Sequence, residues 1–205
     1  LMLDELDIIR AMLAVNGEGY TGGPTLETTH PSVQQALEHL KRTLSDFQAR
    51  GWWFNRERCV KLLPDNFGKI TIPKETSSFS ITAHKQYGND TYENERYVNH
   101  GTKIYDNLKH TYVIGKALHA DLILTRPVSD LPGLAANYLK HLCAQEYYEN
   151  DDGDLNKASK LQERTQKAWH ELYSEELKVT KKNALGSPAA QQLRYRQHQF
   201  GVATN

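Results

Sequence analysis

Only two cysteines occur in the 205 residues, Cys59 and Cys143, far apart and in no CxxC spacing. That excludes a cysteine-built zinc cluster and a disulfide framework, and makes a reducing compartment the default. No run approaches the roughly 20 apolar residues a membrane helix needs. The beginning, Leu1-Met2-Leu3-Asp4-Glu5, is acidic and lacks the basic-then-apolar order of a signal peptide, so a soluble chain made in a cytoplasm is expected. Neither charge sign prevails, with 25 Lys or Arg against 25 Asp or Glu, so whole-chain charge points to neither nucleic acid nor membrane. The length suits one domain of ordinary size or one core with an elaborated insertion, and hydrophobic residues are sparse at 39%, which fits a subunit that leans on neighbours.

Catalytic signatures are missing as well. The chain has no GxxxxGK[ST], GxGxxG after a strand, GxSxG or HExxH. Its nine histidines are scattered, and no two share the i, i+4 spacing of a helical metal face, which reads as solvated or singly bonded rings. Adjacent acids such as Asp4/Glu5, Asp151/Asp152 and Glu175/Glu176 point apart, whereas a glycosidase pair faces a shared cleft. Cys59 follows Arg56 and Arg58 without an evident His partner, and reads as a half-buried strand cysteine. No catalytic residue, cofactor or metal is therefore expected.

What is present is periodicity. Leu3, Leu6, Ile9 and Leu13 make a helical stripe over about 3–16. Val33, Leu37, Leu40, Leu44 and Phe47 make a clearer one over 31–50, closed by Gly51. From Cys59 to about Pro127 the period changes to two. Residues 69–73, 78–84, 101–106 and 119–127 read as strands, with turns at Pro64-Asp65-Asn66, Gly88-Asn89-Asp90 and Asn99-His100-Gly101. Helical pattern resumes over 130–149, with Asp130 as N-cap, and over 153–182. The expectation is an α+β protein: a discontinuous helical bundle (1–58 and 128–182), an inserted, mainly antiparallel sheet (59–127) and a flexible tail (183–205).

Two features carry functional information. Tyr87, Tyr92, Tyr97, Tyr105 and Tyr112 fall in the strand region, where aromatics serve sugar or single-strand binding, or equally strands and protein interfaces. Charge separates near the end: residues 146–176 hold nine acids against four Lys or Arg, and Lys178–Asn205 holds five basic residues and no acid.

The stretch RGWWFNRERCVKLLPD, from Arg50 to Asp65, carries a family resemblance, with Leu62-Leu63-Pro64-Asp65 ending the strand. It resembles tail tubular protein A of short-tailed, podovirus-type bacteriophages, the head-to-tail adaptor or gatekeeper. The first helix followed by Asn16-Gly17-Glu18, and Ser129-Asp130-Leu131-Pro132 opening the third, are similar too, so the resemblance covers about 1–182. It implies a helical bundle with a β-rich insertion and a non-enzymatic virion protein. It further implies a dodecameric ring between the portal and the nozzle, tail tubular protein B, retaining packaged DNA and giving it a channel.

On that reading Arg50, Gly51, Trp52, Trp53, Phe54, Leu63, Pro64 and Asp65 form a joint between bundle and insertion. Period-two geometry would send Trp52, Trp53 and Phe54 to alternating sides, one tryptophan under the helices and the other toward the sheet or a neighbour. Lys178, Lys181, Lys182, Arg194, Tyr195, Arg196 and Phe200 are candidates for docking on an acidic portal surface. Glu163, Glu171, Glu175 and Glu176 are candidates for lining the channel or meeting a neighbouring subunit. A rival class is a cell-wall or capsule glycan hydrolase or binding module built on the aromatic sheet; a third is a DNA-binding protein using the basic tail.

Overall fold

A computed structural model describes residues 3–17, 30–81, 96–149 and 154–185, with side chains to residue 180 in the last helix. Helix α1 spans Glu5–Val15. It is started by a capping box in which Asp4 accepts from the Asp7 N–H at 2.8 Å and Asp7 answers to the Asp4 N–H. Helix α2 spans Pro31–Ala49, with Pro31 in the first turn where no intrahelical donor is lost. Among the described residues five strands follow: β1 (Arg56–Leu62), β2 (Thr76–Ile81), β3 (Tyr97–His100), β4 (Lys103–Asp106) and β5 (Leu118–Leu124). Helices α3 (Gly133–Glu149) and α4 (Leu155–Leu185) complete the order.

The architecture is α+β, as expected. Strand β5 lies between β1 and β2, antiparallel to both, and β3–β4 is a separate hairpin. The expected strand 69–73 is extended but joined only by bridges, Lys69 to Val113 and Thr71 to Lys103. Its alternation was legible, since Ile70 and Ile72 are buried. The expected turn at Asn99-His100-Gly101 falls partly in strand β3, whose Asn99 and His100 pair with Ile104 and Lys103. The turn itself is Gly101-Thr102, with Gly101 at φ 64. Part of the 78–84 expectation and the turn at 88–90 lie outside the described residues, as does the expected tail from 186 on.

Three further expectations are corrected. Asp130 does not cap the third helix: Val128–Asp130 is a 3-10 turn, and α3 begins only at Gly133, after Pro132. Cys59 is exposed, not half-buried. It has φ 53 in a register break of β1, and its N–H donates to the Asp121 carboxylate at 2.8 Å where a ladder partner would stand. Nor does the acid excess of 146–176 belong to the last helix: its own span holds four glutamates against seven Lys or Arg, because five of those nine acids precede it.

Among the described residues apolar side chains gather in two clusters. One joins α1, α2, α3 and Leu172 of α4 around Ile8, Met12, Leu40, Trp52 and Leu139. The other lies within the strands around Ile70, Ile72, Tyr97, Ile104 and Leu122. The chain passes between them twice, at 50–56 and at 124–128.

Candidate functional site: the joint between helices and strands

Both crossings are held by the same few side chains. Gly51 ends α2 at φ 75, a conformation L side chains rarely adopt, and its N–H reaches the Gln48 carbonyl at 2.9 Å. A Cβ there would come within 2.5 Å of Ile123 Cδ1. The chain then turns instead of entering a strand, with the Asn55 N–H on the Trp52 carbonyl at 3.2 Å. Alternation therefore does not apply. Trp52 is fully buried, and Trp53 and Phe54 pack against the same helical cluster rather than splitting between helices and sheet. Tryptophan burial is completed by its indole N–H, which donates to the Phe47 carbonyl at 2.9 Å.

Asn55, fully buried, holds the crossings together. Its side-chain oxygen accepts from the Trp52 N–H at 2.7 Å, and its amide donates to the carbonyls of Gln48 and Leu124, each at 2.9 Å. Gln48, also fully buried, exchanges two 2.8 Å hydrogen bonds with the Arg126 backbone. The Arg56 guanidinium donates to the Gly51 carbonyl. On the outside, Arg50 lies over the rings of Trp52, Trp169 and Tyr173, at 4.8, 5.0 and 5.4 Å. It thereby ties the end of α2 to α4. Leu63, Pro64 and Asp65 are not at this joint. They lead into a turn at the far end of β1, where Asp65 accepts from the Phe67 and Lys69 N–H groups.

A groove of ≈ 610 Å³ opens beside the joint, between α2, α3 and α4. On its floor His39 is buried, against the expectation of solvated or singly bonded histidines. The Arg42 guanidinium can only donate, so His39 Nδ1 accepts at 3.1 Å and Nε2 carries the proton toward Glu146, 3.4 Å away. Thr43 donates to the same carboxylate at 2.9 Å. Burial lowers the His39 pKa, aided by Arg42 and opposed by Glu146. Burial likewise pushes the nearby Cys143 thiol up to about 12, which makes it inert as a nucleophile. Among the described residues no group of three or more His, Cys, Asp or Glu is placed to hold a metal.

The remaining candidates divide. Glu163, Glu171 and Glu175 line a second groove, of ≈ 670 Å³, along α4. Glu176 is not part of it, and its Oε2 is buried without a hydrogen-bond partner. Lys178 borders that groove and pairs with Glu175 at 3.2 Å. Lys181 and Lys182 belong to α4, but their side chains lie outside the described residues, as do Arg194, Tyr195, Arg196 and Phe200. Of the tyrosines, Tyr97 is buried. Tyr105 and Tyr112 meet at 4.9 Å beside His100 on the outer face of β3–β4, and Tyr87 and Tyr92 are outside the described residues.

Sequence reasoning missed Gln48, Asn55, His39 and Thr43 as inward-facing residues. Their spacing held a signal: Ala36, His39, Thr43 and Phe47 form one helical row, seen only if polar residues are allowed on the buried face.

A family model described as "Tail tubular protein" matches residues 6–182. The chain belongs to that family, and is a structural protein of a bacteriophage tail. A search of curated proteins finds no match. Among the described residues no helix is long and apolar enough to cross a membrane.

Proposed function

We propose that the chain is the head-to-tail adaptor of a short-tailed phage: a dodecameric ring between portal and nozzle that retains packaged DNA and gives it an exit channel. The observation that carries this reading is a family match running through helices and strands alike, so that both bodies and the joint between them belong to one tail component. Helices 1–58 and 128–182 form the ring wall, and the insertion 59–127 meets neighbours or the nozzle. Lys178, Lys181, Lys182, Arg194, Tyr195, Arg196 and Phe200 dock on an acidic portal surface, and in a ring their charges repeat as a collar. The glutamates of α4 face the channel or a neighbour. A channel must let DNA slide, so its lining makes few phosphate contacts, since those contacts are what hold DNA tightly.

The joint suits this role. Among the described residues the chain crosses between bundle and insertion at 50–56 and 124–128, and the two crossings are bonded to each other by Asn55 and Gln48. An antibody against the purified chain, gold-labelled on intact virions, tests the reading: label at the head–tail junction is expected, and label at the distal tail tip or on the capsid faces rejects it.

A further inference from the structure

The groove beside the joint has the shape of a trough. One wall is the face of α2 from His39 to Arg50, the other the face of α3 from Tyr138 to Glu149, each about 16 Å long by the rise of an α-helix. Trp169 closes the end at Arg50, 5.2 Å from Tyr138. A trough of that length holds about five residues of extended chain.

Its lining is acidic, with an apolar side. Three carboxylates, Asp46, Glu146 and Glu149, stand against two guanidinium groups, and both of those are engaged: Arg42 with His39, and Arg50 over its three rings. Glu146 is answered by Thr43 and His39, and Glu149 by the Gln145 amide alone. Asp46 has no hydrogen bond or ion pair among the described residues. Tyr138, Leu142 and Trp169 are half-buried along the trough, and the Tyr138 hydroxyl has no hydrogen-bond partner among the described residues. Such a surface takes a segment that carries both cations and rings: guanidinium groups for the unanswered acids, rings for Tyr138 and Trp169.

Arg194-Tyr195-Arg196-Gln197-His198-Gln199-Phe200 has that composition, with two arginines, two aromatic rings and no acid. It is also within reach. Beyond Trp169, α4 runs on to Leu185, about 24 Å, and the connection from Leu185 to Arg194 spans up to about 30 Å when extended. We infer that Arg194–Phe200 folds back into the groove of its own chain, its arginines at Asp46 and Glu149 and its rings along Tyr138, Leu142 and Trp169. The contact does not depend on the adaptor reading, which adds a consequence. Groove and portal compete for the same arginines, so a subunit that has not met its portal keeps them covered.

A dye-labelled peptide of residues 193–200 tests this on full-length protein by fluorescence anisotropy. Protein whose own segment is reversed, Arg194→Glu with Arg196→Glu, is expected to bind the peptide. Wild type is expected to bind it at least about tenfold more weakly, because a tethered segment competes at an effective concentration in the millimolar range. Adding Asp46→Asn and Glu149→Gln, two exposed and isosteric changes, to the reversed protein is expected to weaken binding about tenfold or more. No binding by the reversed protein, equal binding by wild type, or binding that survives the two amides overturns the inference. Leu142→Cys with Gln197→Cys, in a Cys59→Ser background, tests that the contact lies within one chain. A short bismaleimide is expected to link the pair in the monomer, and links only between chains, or none, overturn it. None of these results involves a portal, so the adaptor reading stands or falls separately.

Discussion

Gln48 and Arg126, 78 residues apart, face each other as if both were strand residues: the Gln48 amide donates to the Arg126 carbonyl and accepts from the Arg126 N–H, both at 2.8 Å. A helical side chain thus replaces a missing ladder partner just where the chain leaves β5. Because both groups are buried or half-buried, removing the amide strands a donor and an acceptor together. Gln48→Leu is expected to lower unfolding free energy by about 2–4 kcal/mol, measured by urea denaturation, whereas Gln34→Leu on the exposed face of the same helix changes it little.

Asn55 makes three such bonds from one side chain. Its replacement by Asp keeps the acceptor for Trp52 but sets a carboxylate against two carbonyls, and is expected to be worse than Asn55→Ala. Chemical denaturation that ranks Asp as milder would mean the amide hydrogens of Asn55 are not what holds the two crossings.

Trp52 is the largest fully buried side chain. Truncation to Ala is expected to cost roughly 3–5 kcal/mol. Arg50→Ala, which removes only the stacking on Trp52, Trp169 and Tyr173, is expected to cost about 0.5–1 kcal/mol. Equal losses for the two would contradict the division between a buried anchor and an outer brace.

His39 and His141 both have lowered pKa values, in each case first from burial and then from neighbouring cations: Arg42 for His39, Lys140 and Arg164 for His141. Their folded forms bind protons less readily than the unfolded chain, so the stabilisation is full above 6.5, the unfolded value, and declines as pH falls below it. Asp106 is lowered chiefly by its Arg96 hydrogen bonds, so its contribution declines only in acid, below 3.8. Melting temperature against pH is expected to show two separate declines, and His39→Gln should flatten the upper one.

The helices were legible because apolar residues repeat at helical spacing, and the insertion because the period changes to two at the strands. The joint was only half legible. RGWWFN marks where it is, but Trp52–Asn55 turns where period two suggested a strand, since Asn55 supplies backbone partners that a ladder would otherwise provide. Gln48, Thr43 and His39 were hidden for a related reason. Their partners, Arg126 and Glu146, arrive from segments about 80 to 110 residues later, and hydrophobic periodicity is blind to a polar side chain satisfied at such range. Gly51 could be read as a helix stop, but its close approach to Ile123 depends on how β5 returns.

The proposed adaptor role requires the chain to be a ring subunit that joins the portal, and the mass of the purified protein, alone and after mixing with its portal, tests this most directly. A single species at the mass of the portal plus twelve copies is the expected result, whether or not the protein alone is already a ring. A protein that stays monomeric and never joins the portal would contradict it.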